Sequence, residues 1–280
     1  MKRILISAAV ICAAIAVVLV LILQNNQVKY TYTAPDEAAF LMENTKFIIH
    51  AAGRLDEETG YPFDGSNSVE GLQNAYENGC RIIELDFNFT SDGELACIHD
   101  WYTQYSSAIT DNVPLTLAEF LNCRIYDRYT PLWLGTLVEF MREHEDVYIV
   151  TDIKDDNLGG AAAIAEYCPD LLNRFIIQIY DKSEYAAVRD LGFEYIIFTL
   201  YRLDWQSKTD TAALGRFAKK HPLIGYTFAA ELCEVEGYVE GMLKTGVPLF
   251  VHTVNDAAEQ DMYFNMGISG IYTDMTSFPH

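Results

Sequence analysis

From residue 46 onward, short apolar runs alternate with segments in which apolar residues recur every three or four positions. The runs are "KFIIH", "RIIELDFNF", "VYIVTDI", "RFIIQIY", "EYIIFTL", "PLIGYTF", "VPLFVHT" and "GISGIYTD". Each is dense in Ile, Val, Phe or Tyr and short enough for a buried strand, so the pattern predicts eight strands. The segments between them carry helix boundary signals. Asn67 to Gly79 is predicted as a helix, with Asn67 as cap, Glu70 returning the bond, Val69, Leu72, Ala75 and Tyr76 on one face and Gly79 as the stop. "NDAAEQDMYFNMG" repeats this grammar with Asp256, Glu259 and Gly267.

Strands that alternate with helices form parallel βαβ units, which close economically as an eight-stranded barrel or spread as an open doubly wound sheet. No glycine-rich phosphate loop or dinucleotide fingerprint follows the first strand, which favours the barrel. The fold class expected is therefore α/β, a (β/α)8 TIM barrel over residues 47–280. In such a barrel chemistry gathers where strands end, a rule that selects His50, Glu84, Asp86, Asp152, Lys154 and His252. The stretch between the second and third runs is too long for a simple crossover. Its "SDG" reads as a tight turn, so "ELACIHD" returns as a hairpin carrying His99 and Asp100, followed by an aromatic-rich insertion over 101–135.

The first 46 residues are of another kind. Residues 4–23, "ILISAAVICAAIAVVLVLIL", are uncharged and almost wholly apolar, long enough to span a bilayer. Lys2 and Arg3 precede them, and no small-residue cleavage site follows. This predicts an uncleaved signal anchor with residues 1–3 in the cytoplasm. Residues 24–46 form a stalk, and the barrel lies on the outer side of the cell membrane, a single-pass arrangement. Five cysteines remain beyond the anchor, an odd number without a CxxC pair, so buried free thiols are expected. The 40 acidic residues against 19 basic ones, a formal charge of -21, exclude a nucleic-acid partner, because no basic surface is available to displace phosphate counterions.

The same acidity changes the reading of the strand ends. Glu84 and Asp86 share one face of their strand, since side chains alternate with a period of two. Carboxylates buried together are costly unless paired. One divalent cation with oxygen ligands, calcium or magnesium, would pair them, with Asp152 as a third ligand. Structural ion pairs, Lys154 with Asp152 and Arg81 with Glu84, are the alternative.

"HAAGR", "SNSVEGLQNAYENGCRIIELDFNFTSDGELACIHD", "LTLAEF", "DIKDD", "VHTVND" and "GIYTD" resemble, in order, the landmarks of glycerophosphodiester phosphodiesterases. That family comprises metal-dependent (β/α)8 barrels that release glycerol 3-phosphate and an alcohol. The resemblance implies that Glu84, Asp86 and Asp152 hold the cation, that Lys154 contacts the phosphate, and that His50 and His99 are the acid-base pair. Three positions depart from the family pattern. Ala51 stands where arginine usually follows the first histidine, and Arg54 is the candidate replacement for that phosphate contact. Asp152 stands for a glutamate. His252 stands for a tryptophan and puts an extra ionisable ring at the pocket.

The expected function is hydrolysis of a small-molecule glycerophosphodiester. Two other readings are a phospholipase acting on intact lipid, of the phosphatidylinositol-specific phospholipase C type, and a non-catalytic surface binding module descended from the enzyme. The three-acid set argues against the first, and retention of both histidines with all three acids argues against the second.

Overall fold

The computed structural model describes residues 46–55 and 65–277. The expected anchor, and all but the last residue of the expected stalk, lie outside the described residues. Among the described residues no helix is long and apolar enough to cross a membrane.

All eight expected strands form. They are β1 (Phe47–Ile49), β2 (Ile82–Phe89), β4 (Tyr148–Ile153), β5 (Phe175–Ile179), β6 (Tyr195–Thr199), β7 (Gly225–Ala229), β8 (Leu249–His252) and β9 (Gly270–Thr273). Each pairs in parallel with the next, and β9 pairs in parallel with β1, which closes the barrel. β3 (Leu95–Cys97) is the returning arm of the expected hairpin. It lies antiparallel to β2, with Phe87 opposite Cys97. β1 reaches only as far as Ile83 on that edge of β2, so the hairpin takes up the edge that β1 leaves.

Among the described residues nine α-helices accompany the strands: α1 (Val69–Glu77), α2 (Leu117–Asn122), α3 (Leu134–Glu143), α4 (Asn157–Tyr167), α5 (Glu184–Asp190), α6 (Trp205–Thr209), α7 (Thr211–Ala218), α8 (Tyr238–Leu243) and α9 (Ala257–Asn265). The cap of α1 corrects the sequence reading. Ser68 is the cap, its hydroxyl accepting from the Gly71 N–H at 3.0 Å. Asn67 stands before it with φ of 47°, and Glu70 reaches across to Thr130 instead of returning to the cap. Asp256 caps α9 as expected, and Gly267 follows it with φ of 94°.

Along β2 the side chains divide by parity. Ile83, Leu85 and Phe87 join the apolar cluster between strands and helices, whereas Glu84 and Asp86 alternate with them and face the interior. The lower interior is apolar. Phe250 fills it, and Cβ atoms at Gly225 or Gly270 would come within 2.7 or 2.6 Å of its ring, so these strands approach only because both residues are glycines. A second core under the insertion holds Trp101, Tyr105, Ile109, Phe120, Tyr126 and Tyr129, which packs the 101–135 segment beside the barrel mouth. The five described cysteines are free and four are buried, as their spacing led us to expect.

Candidate active site

Glu84 and Asp86 on β2 and Asp152 on β4 converge, with one carboxylate oxygen of each within 4.8 Å of the others. Glu84 and Asp86 are 1% and 2% exposed. Burial raises the Glu84 pKa well above the carboxylate range, and the charge of Asp86 raises it further. Burial acts upward on Asp86 too, but the Lys154 ammonium together with His50 and His99 outweighs it and holds this carboxyl low. Lys154 Nζ lies 2.6 Å from Asp86 Oδ1 and 2.8 Å from Asp152 Oδ2. Burial lowers the Lys154 pKa, and the charges of Asp86, Asp152 and Glu84 more than reverse that.

Two cations, Lys154 and Arg202, face three carboxylates, which leaves surplus negative charge, and no described basic residue lies within ion-pair distance of Glu84. The expected Arg81 to Glu84 pair does not form; Arg81 reaches Asp146 at 2.5 Å. A convergent, hard-oxygen, net-negative set fits a divalent cation. The family's glutamate is one carbon longer than Asp152. Here Asp152 reaches the cluster while accepting hydrogen bonds from Lys154, Tyr180 and Tyr201.

His50 closes β1. Its Nδ1 is 2.7 Å from Asp274 Oδ1 just past β9. Asp274 is in turn fixed by Asn255, whose Nδ2 donates to Oδ2 at 2.6 Å and whose Oδ1 accepts the Asp274 N–H at 2.8 Å. Burial alone would lower the His50 pKa. The Asp274 bond and the charges of Glu84, Asp274 and Asp86 raise it to about 9. The next two residues, Ala51 and Ala52, hold φ of 47° and 63°, a conformation costly for residues bearing a Cβ. It aims the Ala51 N–H at Glu84 Oε2, 2.8 Å away.

His99, beyond β3, pairs through Nδ1 with Asp100 at 2.8 Å and stacks on Tyr105 of the insertion, 6.3 Å between centroids. It acts to lower the pKa of Asp86, but it does not line the cavity that His50, Glu84 and Asp152 share. His252 lines the same cavity as His50, Glu84 and Asp152. Burial first, then the charge of His50, lowers its pKa to about 4, so the ring is neutral.

Arg54 does not line that cavity. It borders a separate hollow with Asn74, Asn78 and Thr276 on the far side of Asp274. Ala51 also has an explanation in packing, because the 65–67 loop runs directly over it. A Cβ at Gly65 would sit 2.1 Å from that of Ala51, leaving no room for a long side chain. The guanidinium beside the cluster is Arg202, after β6. It stacks on Tyr180 at 3.6 Å, bonds the Tyr201 hydroxyl at 3.2 Å and lies 3.9 Å from Asp152.

Sequence reasoning missed Asn67, Asp274, Asn255 and Arg202. Asn67 clamps Asp86, its Nδ2 donating to Oδ2 at 2.7 Å and its Oδ1 accepting the Asp86 N–H at 3.0 Å. Asp274 ends a strand at the same mouth as the acids that were singled out, so the strand-end rule would have selected it. Asn67 resembled a cap, and Arg202 had no motif around it.

Residues 57–277 match the profile of the glycerophosphoryl diester phosphodiesterase family. His50 lies just before that span, although β1 completes the same barrel. A glycerophosphodiester phosphodiesterase of Caldanaerobacter subterraneus subsp. tengcongensis is 25% identical over 224 residues, covering 74% of this chain and 88% of its own. Among solved structures, a glycerophosphodiester phosphodiesterase from Thermotoga maritima superposes with a TM-score of 0.64 at 20% identity, covering 83% of this chain and 95% of its own. An Oleispira antarctica phosphodiesterase in complex with the product sn-glycerol 3-phosphate gives 0.63 at 15% identity, covering 84% and 95%. At these identities the structures bear on the fold.

Proposed function

Because the chain belongs to the glycerophosphoryl diester phosphodiesterase family and is a phosphodiesterase hydrolase, we propose that it hydrolyses glycerophosphodiesters to glycerol 3-phosphate and an alcohol with the help of one divalent cation. The observation that carries this reading is the convergence of Glu84, Asp86 and Asp152 beside His50 at the mouth of one barrel. The product held by the Oleispira relative supports the choice of substrate.

A phosphodiester is a stable anion, so cleavage requires charge neutralisation, an activated nucleophile and a proton for the departing oxygen. Glu84, Asp86 and Asp152 would hold calcium or magnesium, which when bound supplies Lewis acidity to the phosphoryl group. Lys154 and Arg202 bring positive charge to the same place. Arg202 thereby answers for the arginine that Ala51 replaces, a role that Arg54 does not reach from its separate hollow. His50 and His99 serve as general acid and general base. Asp274 fixes the His50 tautomer by engaging Nδ1, which leaves Nε2 for substrate. Residues 4–23 would tether the barrel to the cell membrane with the site outside, a reading supported by their length and by Lys2 and Arg3.

The test is product identification by phosphorus NMR on a panel of glycerophosphodiesters with different alcohols. Glycerol 3-phosphate as the common product supports the proposal. Release of phosphorylated head groups, or cleavage only of intact phospholipid, overturns it in favour of the phospholipase reading.

A further inference from the structure

Side chains from the ends of two neighbouring strands converge on Asp152 of β4. Tyr180 stands just past β5, and Tyr201 and Arg202 just past β6, the next strands in the barrel. The Tyr180 hydroxyl donates to Asp152 Oδ1. The Tyr201 hydroxyl lies 3.3 Å from the same oxygen and 3.5 Å from Oδ2. Oδ2 takes Lys154 Nζ at 2.8 Å, and that ammonium also reaches Asp86 Oδ1 at 2.6 Å. Tyrosine hydroxyls thus hold one oxygen of Asp152, while the other is turned toward the acids.

Tyr180 is itself fixed in place. It is 4% exposed, and the Arg202 guanidinium covers its ring at 3.6 Å from the centroid. Arg202 is anchored in turn, with Nη2 donating to the carbonyls of Ile153 and Lys154 at 3.3 and 2.9 Å, directly after Asp152. The Tyr180 N–H donates to Glu184 Oε2 at 2.7 Å, at the start of α5. The loop after β6 therefore reaches over Tyr180 and back to the end of β4, closing a ring of contacts around one carboxylate.

An aspartate carboxylate sits on a short stem. Once its strand is placed, little but its rotation remains to be set. A donor on Oδ1 sets that rotation and leaves Oδ2 to face the cluster. We propose that Tyr180, backed by Arg202, is a positioning residue that turns Asp152 Oδ2 into the cation site and makes up for the short reach of aspartate. The plain alternative is a hydroxyl that only satisfies a buried carboxylate. The two accounts part when the length of the acid is changed. With Tyr180 in place, a longer acid drives its carboxylate into the hydroxyl; with the hydroxyl removed, the longer acid reaches the cluster unaided. The inference rests on the reading that Glu84, Asp86 and Asp152 hold a divalent cation.

The test is calorimetric titration of the full-length protein with calcium and with magnesium, in wild type, Tyr180→Phe, Asp152→Glu and the double variant. Phenylalanine keeps the ring under Arg202 and removes only the hydroxyl. Each single substitution should weaken cation binding roughly 10- to 100-fold. The double variant should return to within about threefold of wild type, because each change relieves the defect of the other. Unchanged affinity in Tyr180→Phe would overturn the proposal. So would a double variant whose loss is the product of the single losses, the outcome for a hydroxyl that serves only the fold. Melting curves in chelator verify that each variant is folded. Should Tyr180→Phe fail to fold, Asp152→Glu alone decides, since undiminished affinity there contradicts the crowding that the proposal requires. Glycerophosphodiester turnover measured in parallel separates the two readings. Metal-dependent turnover with independent losses removes the positioning role alone, and a wild type that binds no cation removes the metal reading with it.

Discussion

His50 Nδ1 sits 2.7 Å from Oδ1 of Asp274, a residue 224 positions further along the chain. Barrel closure through β9 and β1 brings the two together, and Asn255 holds the carboxylate from the other side. Asp274→Asn keeps the shape but removes the charge that fixes the ring. It should lower kcat by roughly 10²-fold, and steady-state kinetics with a melting curve will separate this from loss of fold. Unchanged kcat would mean that the pair is structural.

The two histidines should behave as one unit. His50→Ala and His99→Ala should each lower kcat by roughly 10²- to 10⁴-fold, with the double variant little worse than either single one. A nitrophenyl diester, whose leaving group needs little protonation, should rescue only the variant that lacks the general acid. Multiplicative losses would show that the two residues serve separate steps.

Asn67 holds Asp86 through two hydrogen bonds, so its removal should act on the cation without touching it. Asn67→Ala should weaken calcium or magnesium binding by roughly 10- to 100-fold, measured by calorimetry. Restoration of rate at high cation concentration would confirm that the defect lies in binding. Wild-type affinity in the variant would show that the clamp serves only the fold.

Stability of the cation-free protein should fall as pH rises. Glu84 and His50 both have folded pKa values above their ordinary ones, the first raised by burial, the second to about 9 by Asp274 and its acidic neighbours against the pull of burial. Each binds more protons folded than unfolded, so stability is lost from the ordinary glutamate range upward, through about pH 9 for His50. His252, whose folded pKa is lowered to about 4 by burial and by the charge of His50, acts the other way below its ordinary 6.5, so in chelator the melting temperature should drop from about pH 6.5 to pH 9. Added cation should restore more at pH 8 than at pH 5, and Glu84→Gln should flatten the fall. A melting temperature that rises with pH above about 6.5 in chelator would contradict this electrostatic picture.

Strand positions were legible because parallel barrel strands are buried on both faces and read as apolar runs. Glu84, Asp86 and Asp152 were legible because a carboxylate inside such a run has to face something polar. By the same logic Gln178, Thr199 and Thr227 interrupt "RFIIQIY", "EYIIFTL" and "PLIGYTF", a signal present in the sequence but weak, since threonine also favours strands. Asn67 was misread because capping and clamping use the same side chain, and only the fold shows that Ser68 has taken over the cap. Asp274 and Asn255 fall inside stretches that carry the family resemblance, yet the partnership with His50 depends on closure of the barrel, which no local pattern encodes. Arg202 depends on the conformation of a loop, which periodicity does not describe.

The most direct test is turnover of a glycerophosphodiester by the purified full-length protein during removal and return of divalent cation, with bound metal measured on the same samples. Glycerol 3-phosphate release should vanish in excess chelator and return with calcium or magnesium, at about one ion per chain, and Glu84→Gln or Asp86→Asn should lose both ion and activity. Full turnover by protein shown to contain no metal would contradict the account.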